Sequence, residues 1–277
     1  MKILSIDVGI KNLAFCLFEK VELEDFTIKK WDTVNISEQE THNCIAVDKN
    51  GLCNKPSKFT KGENQCFCLK HAKKSNYKVP TPDLKSSFIN KQKIQKLYEI
   101  ADKYNIVYDK KTKKADIITL INDYSLKNYL QEVQTKKASD VDLYNIGKNI
   151  KTHFDKLFSQ EVCIDYVIIE NQIGPLAIRM KTIQGMLVQY FVMCPVEVKH
   201  VEFISASNKL KDCDIKDKSK YSDRKKLGIA KCLETISANS NYFDKIDYFN
   251  AHKKKDDLAD SFLQGLWFLS SSTFLTK

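Results

Sequence analysis

Several common signatures are missing from this chain of 277 residues, and each absence excludes a class of protein. No run of 18 or more apolar residues occurs, so no segment is expected to span a membrane. With only 8 glycines and neither a GxGxxG nor a Walker pattern, the sequence argues against a glycine-rich phosphate-binding loop. The opening segment MKILSIDVGIKN is interrupted by an aspartate and is poor in Arg and Ser, so neither a secretion signal nor a transit peptide is predicted.

What the chain has in excess is positive charge. Its 45 Lys and Arg residues against 35 Asp and Glu residues give a net charge of +10. Such an excess favours a polyanionic partner such as nucleic acid, although basic proteins with other functions are common. Hydrophobic residues make up 43% and charged residues 29% of the chain, as in globular proteins, so we expect one or two folded domains.

Cysteine usage indicates the redox environment. The chain has 9 cysteines, an odd number. Four of them lie close together in the sequence, near His71: Cys44, Cys53, Cys66 and Cys68. Because no secretion signal is predicted, we expect an intracellular, reducing compartment in which clustered thiols bind a metal rather than form disulfides.

Both ends of the chain have the patterns of an α/β fold. Short apolar segments predict strands over residues 2–6, 13–18, 26–36, 163–169 and 196–204, with the first two joined as a hairpin by a tight turn. Helical spacing of apolar residues predicts helices over about 140–158, 175–193, 222–236 and 257–269. The stretch from 40 to 90 is rich in Lys, Asn, Ser and Cys and shows little periodicity, which separates it from the α/β segments.

Carboxylates occur at three places in the sequence that an α/β fold can bring close together in space: two strand ends and the start of a helix. Asp7 ends the first strand, Glu170 ends the strand over 163–169, and Asp257 and Asp260 share one face at the start of the last helix. Each has an ordinary explanation by itself, such as an exposed strand end or a helix N-terminus that favours negative charge. Together, converging carboxylates would need a cation, and a pair of divalent ions catalyses in-line phosphoryl displacement.

Three ordered strings of the sequence contain these carboxylates: IDVGIKNLAFCLFE, YVIIENQ and KKKDDLADSFLQG. In this order they resemble the first strand and turn, the second acidic motif and the closing D-x-x-D helix of the RuvC-type Holliday junction resolvases in the RNase H-like superfamily. The poxvirus and mitochondrial branch of that group is the most similar. The resemblance covers residues of about 1–36 and 138–277, and it implies an RNase H-like core with a mixed sheet flanked by helices.

The resemblance implies a metal-dependent endonuclease that resolves four-way DNA junctions by paired, symmetric nicks as a homodimer. Carried over by position, the ligands of two Mg²⁺ or Mn²⁺ ions are Asp7, Glu170, Asp257 and Asp260. Asp256 is an alternative to Asp257, since i, i+4 spacing also shares a helical face with Asp260. Poxvirus-type similarity and a Lys- and Asn-rich composition further predict a large DNA virus as the source and a viral replication site in the host cytoplasm as the location.

The cysteine-rich stretch, residues 40–78, contains candidate ligands for a structural zinc site. Four of its residues follow the spacing C-x8-C-x14-C-x2-H: Cys44, Cys53, Cys68 and His71. Three thiolates and one imidazole suit a single tetrahedral Zn²⁺, and a segment with few apolar residues needs such a metal to fold. We therefore predict a zinc-binding knuckle, which the compact resolvases lack. A lysine-rich loop with incidental thiols is the alternative.

Residues 90–130 resemble a SAP-type DNA-binding module, in which two helices flank an extended link and a basic turn. Four lysines cluster at that turn: Lys110, Lys111, Lys113 and Lys114. Phosphate contacts of this kind give affinity without sequence choice. The alternative is a surface helical hairpin with a solvated lysine face. Mitochondrial resolvases have a similar element ahead of the catalytic core, whereas here it would be inserted within the core.

Other basic residues close to the acidic motifs are candidates for DNA contact: Arg179, Lys209, Lys211, Lys253, Lys254 and Lys255. Any single lysine among them could equally serve to keep the surface soluble. Two other functions compete with junction resolution. One is a nuclease for a different nucleic acid, such as an RNA–DNA hybrid, and the other is a non-catalytic nucleic-acid-binding protein with the same core.

Overall fold

The computed structural model describes residues 1–20, 25–39, 42–49, 51–62, 64–109, 111–133, 137–172, 178–210 and 221–271. The strands are β1 (Lys2–Asp7), β2 (Leu13–Glu19), β3 (Thr27–Val34), β4 (Val47–Asp48), β5 (Gly51–Leu52), β6 (Phe59–Lys61), β7 (Gln65–Phe67), β8 (Gln131–Glu132), β9 (Cys163–Asn171) and β10 (Glu197–Ser205). The helices are α1 (Leu69–Ala72), α2 (Ser86–Ile89), α3 (Ile94–Lys103), α4 (Lys114–Asn128), α5 (Leu143–Phe158), α6 (Ile178–Met193), α7 (Tyr221–Ala238), α8 (Ile246–Ala251) and α9 (Lys255–Ser271). The chain divides into two units, Met1–Glu38 with Lys136–Lys277, and Gln39–Thr135.

The first unit is built on a five-stranded sheet in the order β10-β9-β1-β2-β3. β1, β2 and β3 are antiparallel neighbours, whereas β9 is parallel to both β1 and β10. β1 and β2 form a hairpin through a tight turn. The turn has no room for a side chain at Gly9, where an added Cβ would lie 2.3 Å from the carbonyl oxygen of Asn12. Both strands are buried along almost their whole length, as central strands are. The mixed α/β architecture predicted from the sequence is confirmed.

Helices cover both faces of this sheet. Leu4 and Ile6 of β1 contribute to the core shared with α5 and α6, whereas Ile3 contributes to the core shared with α7 and α9. The helix α5 buries an apolar residue at every fourth position: Ile146, Ile150, Phe154 and Phe158. Within the described part of the chain, no helix is long and apolar enough to cross a membrane.

The position of α9 is set by close packing on β2. At Gly265 an added Cβ would lie 2.2 Å from Cε2 of Phe18, a fully buried side chain. The Phe18 ring also packs on Phe262 of the same helix, with 5.8 Å between ring centroids, so it has little room to move aside. At the start of the helix, the Trp31 indole donates a 3.0 Å hydrogen bond to the carbonyl of Leu258. These contacts fix the position of α9 on the sheet.

Gly265→Ala should therefore destabilise the protein by about 1–3 kcal/mol, the usual cost of overpacking a core. Gly185→Ala in α6 is the matched control, because a Cβ there has no heavy atom within 4 Å and alanine is the better helix former. Urea unfolding of the two variants measures the difference. Equal stability of Gly265→Ala and the wild type would show that α9 and β2 are not tightly packed at this point.

The second unit contains two small sheets and a pair of packed helices. β6 pairs with β7 and β8, and β4 pairs with β5, all antiparallel. α3 and α4 share an apolar core that includes Leu97 and Ile117. The link between them passes through Asn105, which has left-handed backbone at φ 53°. The two helices expected in this segment are present, and its identity as a SAP-type module stays a prediction.

Candidate active site and metal centres

Two carboxylates meet at one end of the central sheet. β1 and β9 are parallel neighbours whose register pairs Ile6 with Ile169. The next residues, Asp7 and Glu170, therefore lie side by side at the carboxyl ends of their strands, with 12% and 15% of the side chains exposed. Gln172 donates a 3.2 Å hydrogen bond to Oε2 of Glu170 and holds that carboxylate in place.

The helix α9 brings further carboxylates to the same end of the sheet. The side-chain amide of Gln264 donates to Oγ of Ser5 and to the carbonyl of Ile6, both at 3.2 Å. These two hydrogen bonds tie the helix to β1 directly before Asp7. The first turns of α9 contain Asp257 and Asp260.

A lysine ammonium lies among these carboxylates. Nζ of Lys209 is 2.7 Å from Oδ1 of Asp7, 3.4 Å from Oε1 of Glu170 and 3.7 Å from Oδ2 of Asp260, and only 7% of the side chain is exposed. Lys209 belongs to the short 3₁₀ turn Ala206–Leu210, which follows β10 and so arrives at the same end of the sheet. The sequence suggested a DNA contact for this lysine, whereas the structure encloses its ammonium among carboxylates.

Burial and neighbouring charges together set the pKa values of the groups in this site. Burial by itself would lower the pKa of Lys209, but the charges of Asp7, Asp260 and Glu170 raise it, so the ammonium stays charged. Burial would raise the pKa of Asp7, but the charge of Lys209 and hydrogen bonds lower it. Burial raises the pKa of Glu170, and the neighbouring Asp7 raises it further. Burial also raises the pKa of Asp260, to about 6.

Asp256 and Asp257 have different surroundings. Asp256 accepts a hydrogen bond from the ammonium of Lys225 on α7. Asp257 has a buried Oδ2 with no hydrogen-bond partner among the described residues. Burial raises the pKa of Asp257, and the charges of Asp256 and Asp7 add to that effect. Since a buried acceptor without a donor is costly, the geometry favours Asp257 over Asp256 as a metal ligand.

This end of the sheet fits a divalent cation. Carboxylate oxygens are the ligands that Mg²⁺ and Mn²⁺ prefer. Asp7, Glu170, Asp257 and Asp260 carry more negative charge than the single ammonium of Lys209 can balance. The position of Nζ shows that one cation can contact three of these carboxylates at once. The chemistry of the donor set therefore matches the ions that the sequence predicts.

A second cluster lies in the other unit and contains the four predicted zinc ligands. One ligand atom from each of the four lies within 4.8 Å of the others: Cys44, Cys53, Cys68 and His71. The two cysteines nearest the imidazole, Cys44 and Cys68, place Sγ 3.3 and 3.5 Å from Nδ1 of His71. Sγ of Cys53 is 4.0 Å from Sγ of Cys68. Two sulfur atoms bound to one tetrahedral Zn²⁺ lie about 3.8 Å apart, so the cluster has the size of a zinc site.

Local structure explains how this cluster forms. Cys44 precedes β4, and Cys53 follows β5. Cys68 directly precedes α1, and His71 lies within that helix. Gly51 has left-handed backbone at φ 100°, which lets the chain turn back before Cys53. Two backbone hydrogen bonds, from Cys44 N to Lys55 O and from Cys53 N to Ala46 O, hold the two halves together at 2.8 Å each.

The other predicted DNA contacts belong to several different elements. Lys253 and Lys254 are exposed directly before α9, and Lys255 begins that helix. Arg179, at the start of α6, donates to the carbonyl of Val141. Three lysines are exposed at the turn between α3 and α4 and at the start of α4: Lys111, Lys113 and Lys114. Two further predictions, Lys110 and Lys211, lie outside the described residues.

A protein-family model matches residues 3–172 and is described as mitochondrial resolvase Ydc2 / RNA splicing MRS1. The chain belongs to this family. The resemblance to Holliday junction resolvases seen in the sequence motifs is thus confirmed. An uncharacterized protein of Acanthamoeba polyphaga mimivirus, L451, is 27% identical over 312 aligned positions, which cover 97% of this chain and 74% of that protein.

The chain is also similar to solved resolvase structures. The yeast mitochondrial Holliday junction resolvase Ydc2 gives a TM-score of 0.42 at 13% identity, covering 96% of this chain and 78% of that one. The fowlpox virus resolvase in complex with Holliday junction DNA gives 0.41 at 15% identity, covering 98% of each chain. RuvC of Thermus thermophilus gives 0.36 at 8% identity, with 98% and 96% covered.

Three residues of these sites were not assigned their role from the sequence. The sequence predicts a DNA contact for Lys209, and it predicts no part at the acidic site for Gln172 or Lys225. The signal for Lys209 was its place directly after the last strand, because parallel strands deliver their following residues to one end of a sheet. Gln172 follows Glu170 by two residues, so its proximity was also readable. Lys225 reaches Asp256 only through the packing of α7 on α9.

Removal of the Lys209 charge should expose the repulsion between the buried carboxylates. We expect Lys209→Met to lower the melting temperature in EDTA, because breaking a buried ion pair typically costs about 3–5 kcal/mol. Excess Mg²⁺ should restore part of the loss, since a bound cation replaces the missing positive charge. Lys231→Met is the control, because Lys231 forms an exposed pair with Glu234. Equal melting temperatures of Lys209→Met and the wild type in EDTA would contradict this account.

Proposed function

We propose that this chain is a metal-dependent endonuclease that resolves four-way DNA junctions by paired nicks. The observation that carries the proposal is the convergence of Asp7, Glu170 and Asp260 on one cation position at the carboxyl ends of β1 and β9. Membership of a family that includes a mitochondrial resolvase supports the choice of substrate.

In this proposal, four carboxylates hold two Mg²⁺ or Mn²⁺ ions: Asp7, Glu170, Asp257 and Asp260. When bound, these ions supply a Lewis acid for water activation and for stabilising the charge of an in-line displacement at phosphorus. The chain's own residues prepare the site. Gln172 orients the carboxylate of Glu170, and the ammonium of Lys209 keeps Asp7 ionised.

DNA approaches this site along basic residues in the proposal. Lys253 and Lys254 are exposed beside the first turn of α9, where they can hold a phosphate close to Asp257. A homodimer would place two such sites about a two-fold axis, which matches the symmetry of a four-way junction. The segment with α3 and α4 would add phosphate contacts that do not depend on sequence.

The test is incubation of the purified protein with a mobile four-way junction, a linear duplex and an RNA–DNA hybrid, each with Mg²⁺ and with EDTA. We expect paired nicks in the junction alone, and only with Mg²⁺. Preferential cleavage of the hybrid would favour the alternative nuclease. Because the matching family also includes an RNA splicing protein, a structured RNA is tested as well, and its binding without any cleavage of the other substrates would favour a non-catalytic role.

The basic turn before α4 should contribute affinity rather than catalysis. Replacing Lys110, Lys111, Lys113 and Lys114 with Gln should weaken binding to junction and duplex alike. Each phosphate that is no longer bound should flatten the slope of log affinity against log salt by nearly one. Cleavage at saturating protein should persist. An unchanged salt slope would indicate a helical hairpin that does not touch DNA.

We also propose that Cys44, Cys53, Cys68 and His71 bind one structural Zn²⁺. All four tetrahedral positions would be filled by the protein, which leaves none for a substrate or a reactive water. The apolar cluster of this part of the chain is small, with Phe59, Ala72 and Leu130 as its buried members. Metal binding would therefore supply much of the free energy that folds residues 42–78.

A further inference from the structure

The strand pair β4–β5 has two solvent-exposed apolar side chains. Val47 and Leu52 are directly opposite each other across the two strands. Their side chains are therefore neighbours on one face. They are 75% and 63% exposed, although exposed apolar residues of this size are more often scattered singly.

The opposite face of the same strands is anchored. Asp48 points away from Val47, because successive side chains alternate across a strand. Its carboxylate lies 3.1 Å from Nε2 of His71 and accepts hydrogen bonds of 3.0 and 3.2 Å from Nζ of Lys70. With Nδ1 of His71 directed at Cys44 and Cys68, Asp48 is placed as the outer partner that orients a metal-binding imidazole. The strand that carries Val47 is thus hydrogen-bonded to α1 through Asp48.

The segment that contains the apolar pair is strongly basic. Residues 42–78 contain eight lysines against two acidic residues. Seven of these lysines are exposed: Lys49, Lys55, Lys58, Lys70, Lys73, Lys74 and Lys78. A second copy of this chain would bring like charges together at such a surface, which is unfavourable. A polyanion that also offers apolar faces satisfies both the lysines and the apolar pair.

We propose that β4–β5 is a DNA-contacting element, in which Val47 and Leu52 pack on base faces exposed at the open centre of a branched DNA while the lysines bind the flanking phosphates. This inference rests on the junction-cleaving function proposed above. Apolar side chains pack on bases where neighbouring base pairs are unstacked. In a continuous duplex those faces are covered, so the element discriminates branched from linear DNA without reading sequence.

The test is Val47→Ser combined with Leu52→Ser, in protein that also contains Asp7→Asn so that cleavage does not interfere. Affinities are measured by fluorescence anisotropy at one salt concentration, for a four-way junction with unpaired central bases, a paired duplex and a single-stranded RNA. We expect about ten-fold weaker junction binding, as partial burial of two aliphatic side chains predicts, and less than two-fold change on the duplex. Zinc content should stay at the wild-type value.

Val162→Ser with Leu126→Ser is the matched control, since these side chains are 82% and 60% exposed elsewhere. Equal losses on junction and duplex, or none, would overturn the inference. So would a larger effect on RNA, or a change in oligomeric state that marks the pair as a contact between copies. Cleavage by the wild type is assayed separately. If the wild type cleaves junctions and the double variant binds them normally, only the inference fails. If the double variant selectively loses junction binding but the wild type never cleaves, only the proposed function fails.

Discussion

Asp7→Asn should lower the rate of four-way junction cleavage by orders of magnitude while leaving the affinity for the junction close to the wild-type value. The asparagine keeps the shape of the side chain but removes the charge that a divalent cation needs, and the lysines that contact DNA are untouched. Glu170→Gln should behave in the same way, because Glu170 is the adjacent carboxylate on β9. Single-turnover cleavage and gel-shift measurements on the same junction separate the two effects.

Asp165→Asn is the control for this pair. Asp165 lies on β9 as well, but near its other end, where it pairs with Lys199 at 2.6 Å and accepts a hydrogen bond from the backbone of Lys2. Its loss should affect stability and leave the cleavage rate of the folded protein unchanged. Full nicking activity in Asp7→Asn or Glu170→Gln would remove that carboxylate from the mechanism.

Cys68→Ser should lose the zinc that we expect at about one ion per chain, together with the ordered structure of residues 42–78. Cys68 is within contact distance of Cys53 and His71, so its loss opens the ligand set from two sides. Structural zinc contributes its binding free energy to folding, and a segment with so small an apolar cluster has little to replace it. Elemental analysis and hydrogen exchange of the backbone amides measure the two losses.

Cys66→Ser is a matched control for the zinc prediction. Cys66 is two residues away and equally buried, but it is not a member of the four-residue cluster. The variant should retain its zinc and the protection of this segment. Wild-type protein that is purified without chelators and contains no zinc would disprove the site.

Periodicity was sufficient for the five strands of the first unit and for its long helices α5, α6, α7 and α9, but not for the short helix α8. The apolar run before Glu170 and the four-residue repeat of α5 correspond to β9 and α5, because burial of a continuous face dictates both patterns. Residues 40–90 gave no such signal. β4 and β5 are two residues long, and their pairing depends on backbone hydrogen bonds and on the Cys3His cluster rather than on an apolar face.

The sequence by itself determined most strands and helices of the first unit, the order of its acidic residues along the chain and the spacing of the predicted zinc ligands, since these follow from local pattern and residue chemistry. Only the tertiary structure decided which charges meet. Lys209 reaches Asp7 across 202 positions of sequence, and Asp256 rather than Asp257 is the partner of Lys225. Such contacts depend on strand register and on how α7 and α9 pack. They are made by side chains far apart in the sequence, and no local pattern records them.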